Sequence, residues 1–206
     1  AQFQAFLNHP RGFNNDEWWS EVNSWYRKQG AHQARQQYPN YPRDSVSWYA
    51  SVAFTNWLNA MLPEDAYPED ARDPKRWRTR LPHEAEFFLA ASNNDGRAYP
   101  WGAWDALPRA NTDEAGIGRT TAVGMYPQGR AVCGALDMSG NLWQWCLNHY
   151  DDPRLINFES MDSCVLRAGA FLHRHGIAAC AARDFNHPGD GNYCGLRVVR
   201  AVPTPV

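Results

Sequence analysis

The sequence has almost no lysine, which occurs only at Lys28 and Lys75 although lysine and arginine together number 20. Against 22 acidic residues this gives a formal charge of -2, so no basic field draws in a polyanion, and nucleic acid is not an expected partner. The cations are therefore arginines, whose planar guanidinium pairs bidentately and stacks on rings. Two readings of that bias stay open: structural use of arginine against the ten Trp, and a genome that favours arginine codons. No apolar run reaches the roughly eighteen residues of a membrane span. The segment Ala1 to Phe13 lacks the basic, apolar and cleavage regions of a secretory signal, although an already processed form stays open. Cys133, Cys146, Cys164, Cys180 and Cys194 form an odd set without C-x-x-C or zinc-finger spacing. A complete disulfide framework and a structural zinc site are thus not expected, and a reducing, cytoplasmic compartment is favoured. Internal repeats and low-complexity tracts are absent as well.

What is present is apolar and aromatic. Hydrophobic residues make up 44% of the 206 residues and aromatics 14%, which excludes a disordered chain and suits one domain over residues 1–206. Gln2 to Leu7 reads as a short helix before the break at His9-Pro10-Arg11-Gly12, and Trp18, Trp19, Trp25 and Tyr26 as a cluster packed on the core. From Ser47 to Leu62 apolar residues follow helical spacing, and Pro63 ends the run. Pro63 to Arg76 is a Pro- and acid-rich loop. A second helix is expected from Leu81-Pro82 to about Ser92, with Glu84 and Glu86 beside its positive end. Beyond Asn93 short β-prone pieces follow: Tyr99 to Gly102, Thr120 to Gly124, Gly140 to Trp145, Cys164 to Arg167 and Gly195 to Arg200. Two helices within short strands and long loops predict an α+β fold.

Several motifs occur in one order. They are Arg80-Leu81-Pro82-His83-Glu84-Ala85-Glu86-Phe87, Tyr99-Pro100-Trp101-Gly102, Asn111, and Val123-Gly124-Met125-Tyr126-Pro127. Leu136-Asp137-Met138-Ser139-Gly140-Asn141-Leu142-Trp143-Gln144-Trp145, Leu166-Arg167-Ala168-Gly169-Ala170-Phe171 and Gly195-Leu196-Arg197-Val198-Val199-Arg200 follow. Together these resemble the sulfatase-modifying-factor, or formylglycine-generating-enzyme-like, family. The resemblance implies a C-type-lectin-like fold with two main helices, short antiparallel strands and long loops.

In the enzymes of that family a copper-assisted oxidation depends on two cysteines, since copper(I) chemistry needs soft thiolates. The corresponding interval here is Phe171-Leu172-His173-Arg174-His175-Gly176-Ile177-Ala178-Ala179-Cys180-Ala181-Ala182-Arg183. The first catalytic position falls near His173 and the second near Ile177, and neither is cysteine. Cys180 reads as a structural strand residue. His173 and His175 at i, i+2 could share one side of a strand and, with His187 as third ligand, hold a metal. That pattern carries the alternative reading, a metal-dependent oxidoreductase. The resemblance also implies calcium near Asn111 and at Ser139 to Gln144, where Gln144 replaces a Glu and loses the charge a hard cation wants. Asn111 with Asp113 is the remaining calcium candidate, and no other cofactor is expected.

Beyond Met161 the chain contains no Glu, Lys, Gln, Met or Trp. Between Phe171 and Gly195 it has no period of 2 or 3.6. The missing amino acids are those that a codon ending in a fixed pyrimidine cannot encode. This resembles the variable proteins of diversity-generating retroelements, in which altered side chains gather on one exposed face of a rigid frame. The implied ligand-binding set is Leu172, His173, Arg174, His175, Ile177, Asp184, Phe185, Asn186, His187, Asp190, Asn192 and Tyr193. The expectation is a non-catalytic protein that binds a protein or other macromolecular ligand through this C-terminal face, with apolar anchors and polar selectivity. A third possibility is association with a signalling module.

Overall fold

The computed structural model describes residues 2–22, 25–36, 38–73, 77–105 and 107–202. Its helices are α1 (Gln2–Asn8), α2 (Trp25–Lys28), α3 (Trp48–Met61) and α4 (Glu84–Ser92). The Ser47 hydroxyl caps α3 by accepting from the Ala50 N–H at 3.2 Å. Most of the first ten residues of α3 are buried, so the helix is enclosed nearly all round. At α4 the His83 Nδ1 accepts from the Ala85 N–H at 3.1 Å, while the Glu86 carboxylate accepts from the His83 N–H at 2.8 Å. This reciprocal cap makes the helix start at Glu84 rather than Leu81. Arg80 holds the same carboxylate through two bonds of 2.7 and 2.9 Å, and with the His83 bonds it keeps Glu86 below the usual carboxylate range against its burial. The Pro63–Arg76 loop contains two short 3-10 turns, Glu64–Ala66 and Glu69–Ala71, and its residues 74–76 lie outside the described residues.

The strands are β1 (Arg78–Arg80), β2 (Trp143–His149), β3 (Cys164–Arg167), β4 (Asp184–Asn186), β5 (Cys194–Leu196) and β6 (Val199–Ala201). The main sheet has the order β4-β3-β2-β5, with β2 antiparallel to β3 and parallel to β5. A two-stranded ribbon pairs β1 with β6. Every residue of β2 is buried, as a strand covered on both faces must be. Side-chain alternation sends Trp143, Trp145 and Leu147 into the larger core with α3 and the N-terminal segment, and Cys146 into a smaller core with Phe87 and Ala91 of α4. Fully buried Trp145 and Trp48 each contribute on the order of 2 to 3 kcal/mol through burial. Their indole N–H groups are satisfied, Trp145 donating to the Val46 carbonyl and Trp48 to the Cys146 carbonyl, both at 2.8 Å. Trp18 and Trp19 lie in the larger core as expected and Tyr26 packs against it, but Trp25 is exposed.

Two of the expected strands come out differently. Thr120 to Gly124 forms no strand, because its backbone is bound elsewhere: Thr121 to the Asn141 side chain, Val123 to the Asn40 carbonyl and Gly124 to the Asp137 carboxylate. The terminal Gly195 to Arg200 piece is divided between β5 and β6. Between them Arg197 donates to Gln144 at 2.9 Å and to the Leu136 carbonyl at 2.6 Å, which redirects the chain from β2 to β1.

Gly140 opens the motif loop before β2 with φ +74, and a Cβ there would meet the Asn111 carbonyl oxygen at 2.4 Å. Gly140→Ala is expected to cost about 3 kcal/mol through backbone strain and displacement. Gly176→Ala, with nothing within 4 Å of the added carbon, is expected to change stability by less than about 0.5 kcal/mol. Chemical denaturation of the two variants checks both values.

Candidate ligand-binding face

The segment after β3 is held at its root by Asn141. That side chain accepts from the Thr121 N–H at 2.9 Å and the Asn111 amide at 3.2 Å, and donates to the Thr121 carbonyl at 3.2 Å. Its own carbonyl accepts from the Phe171 N–H at 3.1 Å, and Gly140 donates to Ala168 at 2.7 Å. Ser139 adds a bond of 2.7 Å to the Ala178 carbonyl. The Ser139-Gly140-Asn141 loop therefore grips both ends of residues 168–178. The outward part between them is a turn followed by the 3-10 segment His175–Ala178, not the strand expected for His173 and His175.

Exposure along the C-terminal stretch is interleaved. Leu172, Arg174, Ile177, Asp184, Phe185, Asp190 and Asn192 are exposed; His173, His175, Asn186, His187 and Tyr193 are half-buried. Between them Phe171, Ala178, Cys180, Pro188, Gly191 and Cys194 are buried. Several of these buried positions are framework for definite reasons. A Cβ on Gly191 would meet the Ser45 and Val46 backbone at 2.9 Å, and the Pro188 carbonyl accepts from the Trp48 N–H at 2.9 Å.

The half-buried members are anchored by residues outside the stretch. His175 shares a 2.7 Å hydrogen bond with the Tyr99 hydroxyl, stacks on Trp104 at 4.5 Å, and donates its N–H to both Glu114 oxygens at 3.0 and 3.1 Å. Arg35 lies 4.2 Å over the Tyr193 ring and donates to Asn192 at 3.2 Å. Tyr193 has φ +56, a left-handed conformation held by Arg35 and by the edge of Phe171 at 5.6 Å. His187 Nδ1 accepts from the Gly189 N–H, and its ring lies 6.3 Å from that of Tyr26. Tyr99, Trp104, Glu114 and Arg35 were missed by sequence reasoning. Tyr99 stands out only as part of a β-prone motif, and no local pattern announces a contact made some seventy residues away in the chain.

The strand period separates the set into two sides. Asp184 and Asn186 pair with Leu166 and Cys164, whose side chains enter the larger core, whereas Phe185 pairs with Val165 of the smaller one. Phe185 accordingly packs on Tyr150 at 4.7 Å, beside Arg183, which stacks 4.1 Å from the Tyr150 ring and bonds Glu84 at 2.9 and 3.0 Å. Phe185 thus lies on the α4 side of the sheet, away from its two neighbours.

Burial keeps four of the cysteines as thiols. Burial pushes the Cys180 thiol up to about 11 and the Cys194 thiol up to about 12, and raises Cys146 and Cys164 further. Cys180 lies in a turn after the 3-10 segment, not on a strand. Among the described residues no group of three or more His, Cys, Asp or Glu could hold a metal ion. His173, His175 and His187 each engage Nδ1 with a different partner, Ala170, Tyr99 and Gly189 respectively. The calcium candidates do not fit a hard cation either. At Ser139 to Gln144 the Arg197 guanidinium already occupies the Leu136 and Asp137 carbonyls and the Gln144 oxygen. Asn111 Oδ1 is buried without a hydrogen-bond partner, but Asp113 is exposed, and one inward amide oxygen is far from the six to eight that calcium takes.

The His173 imidazole titrates below its ordinary range. Burial lowers its pKa from 6.5, partly offset by Asp184, while its Nδ1 accepts from the Ala170 N–H at 3.3 Å. The unfolded chain therefore binds the proton first, and stability falls as the pH drops below about 6.5. The loss of melting temperature between pH 7.5 and 5 is expected to be smaller in His173→Gln than in the parent. Equal losses in both would contradict this assignment.

The chain is 27% identical over 222 residues to the hercynine oxygenase of Mycolicibacterium thermoresistibile, covering 91% of this chain and 45% of that protein. It is 28% identical over 199 residues to the formylglycine-generating enzyme of Streptomyces coelicolor, covering 83% and 56%. The chain thus spans about half the length of these relatives. Among solved structures it superposes on Treponema denticola variable protein 1 with a TM-score of 0.61 at 18% identity, covering 84% of this chain and 76% of that one. PvdO from Pseudomonas aeruginosa gives the same TM-score at 21% identity, covering 81% and 64%. These two likenesses bear on the fold, which is the expected α+β arrangement. The model of the sulfatase-modifying factor enzyme 1-like domain matches residues 1–202, and the chain belongs to that family.

Proposed function

We propose that this chain is a non-catalytic binding protein of the diversity-generating-retroelement variable type, displaying a changeable C-terminal face to a protein or other macromolecular ligand. The observation that carries the reading is the interleaving between Leu172 and Tyr193. Every position of the restricted-alphabet set reaches the surface wholly or in part, while Ala178, Cys180, Pro188 and Gly191 among them are buried, and Gly191 has no room for a side chain. Side chains on such a frame can be exchanged without ordering costs at each binding event. The likeness in fold to Treponema denticola variable protein 1 supports the same reading.

The two sides of β4 sharpen which residues meet a ligand together. Leu172 and Ile177, exposed by 39% and 46%, are apolar anchors on one continuous loop, flanked by Arg174. Asp190 and Asn192 lie on the turn leading into β5 and supply polar selectivity. Phe185 belongs to a separate patch with Tyr150 and Arg183.

A second reading is favoured by the relatives named as enzymes: an oxidoreductase with a metal held by His173, His175 and His187. Their three separate Nδ1 partners support it less than the interleaved face supports binding.

The test is a pull-down with the intact protein and with a variant carrying alanine at Leu172, Arg174, Ile177, Asp190 and Asn192. A ligand captured by the intact protein is expected to bind the variant at least about tenfold more weakly, about 1.4 kcal/mol or more. Unchanged affinity in the variant would overturn the face, and stoichiometric copper or iron in untagged protein would favour the second reading.

A further inference from the structure

A cleft of about 750 Å³ lies outside the C-terminal face, between α1 and residues 31–43. Its volume falls within the roughly 300 to 1,000 Å³ typical of small-molecule sites. The repeat Tyr38-Pro39-Asn40-Tyr41-Pro42-Arg43 builds one wall, and Gln4, Ala5 and Asn8 of α1 line the other side. That wall is fixed. Proline sets φ at two of its positions, the Tyr41 N–H donates to the Tyr38 carbonyl at 3.1 Å, and the Asn40 carbonyl accepts from the Val123 N–H at 2.9 Å. The Tyr38 and Tyr41 rings stand 5.1 Å apart, tilted by 48°. Among the described residues no Asp or Glu lines the cleft, and Arg43 is its one Arg or Lys. The Arg43 guanidinium lies 5.4 Å over the Phe3 ring, and its one hydrogen bond among the described residues goes to the His32 carbonyl. Its Nε is buried without a partner. Neighbouring Asp44 forms no ion pair with it among the described residues, since its carboxylate accepts from the Arg35 N–H at 2.9 Å and lies 3.8 Å from the Arg35 Nε. Burial accordingly pushes Arg43 below the usual guanidinium range, and Asp44 offsets only part of that. A half-buried cation beside an acid-free cavity is short of an anion.

We propose that this cleft binds a small molecule that joins an aromatic ring to a carboxylate. The carboxylate meets the Arg43 guanidinium, whose planar donors match two carboxylate oxygens. The ring lies against Tyr38 and Tyr41, where offset and edge contacts between rings are favourable. One guanidinium among side-chain amides suits one carboxylate rather than a polyphosphate, which gathers several cations or a metal ion. An amine has no acid to meet there. The site is independent of the binding reading of the C-terminal face. Every residue that lines it lies at or before Arg43, so exchange of the changeable positions leaves it intact.

Titration calorimetry of the whole protein with indole-3-acetate, indole-3-acetamide and tryptamine, one ring carrying three different charges, tests it. The acetate is expected to bind with a dissociation constant of about 1 mM or lower and about tenfold more tightly than the amide, while the amine does not saturate. Arg43→Gln is expected to bring the acetate to the level of the amide. Ala5→Phe, a surface substitution on α1 that fills the cleft, is expected to weaken the acetate by about tenfold or more. The variant with alanine at Leu172, Arg174, Ile177, Asp190 and Asn192 is expected to bind the acetate as the parent does. Failure of the acetate to saturate, equal affinity for acetate and amine, or an acetate preference kept in Arg43→Gln would overturn the proposal. So would acetate binding that survives Ala5→Phe or is lost in the five-alanine variant. Should Arg43→Gln fail to fold, the ranking of the three probes on the parent together with Ala5→Phe decides.

Discussion

Asn141 holds this protein's outer loops to its sheet. With φ +69 its backbone leaves the Gly140 turn just before β2, and its amide and carbonyl bind Asn111, Thr121 and Phe171, three points far apart in sequence. A buried amide with both ends satisfied specifies one arrangement, because any shift leaves a polar group unpaired in a dry interior, at about 1 to 3 kcal/mol each. From that anchor the order of the molecule follows outward. The loop carrying Asn111 supports His175 through Glu114, Phe171 starts the C-terminal face, and β2 carries the two rows of side chains that seed both cores.

The face can be free because the frame that carries it is not. Arg197 is half-buried against the carbonyls of Leu136 and Asp137, Arg183 is fixed by Glu84 and the Tyr150 ring, and Arg80 is fixed by Glu86. In each case arginine works as a planar, multidentate tie between elements, which gives a physical use for the arginine bias whatever the codon preference. Thiols are treated in the same spirit: Cys146, Cys164, Cys180 and Cys194 fill the core as small apolar groups, and burial keeps them protonated.

Much of this was legible in the sequence where a local rule applies. Helical spacing and the Pro63 stop placed α3, the Arg80 to Glu86 motif placed α4, and the restricted alphabet picked out residues that all reach the surface. What was not legible depends on long-range partners. The Thr120 to Gly124 piece has strand composition, but its backbone bonds go to Asn141, Asn40 and Asp137, so no strand forms. His173 and His175 have strand-like spacing, yet Tyr99, Trp104 and Glu114 hold His175 in a 3-10 segment, and His173 sits in the turn before it, bonded to Ala170 and Asp113. The alphabet likewise could not show that Phe185 leaves its neighbours for the α4 side, since that depends on its register with Val165.

The central claim is that the frame carries the stability and the face carries the variation. Thermal unfolding of a protein in which Leu172, Arg174, Ile177, Asp190 and Asn192 are all replaced together by serine tests it most directly. With those side chains at the surface the account predicts cooperative unfolding within a few degrees of the parent, since substitutions outside buried or strained positions usually shift stability by no more than about 0.5 kcal/mol each. Loss of the cooperative transition, or a fall of about 15 °C or more, would show that these residues hold the fold together and would contradict the account.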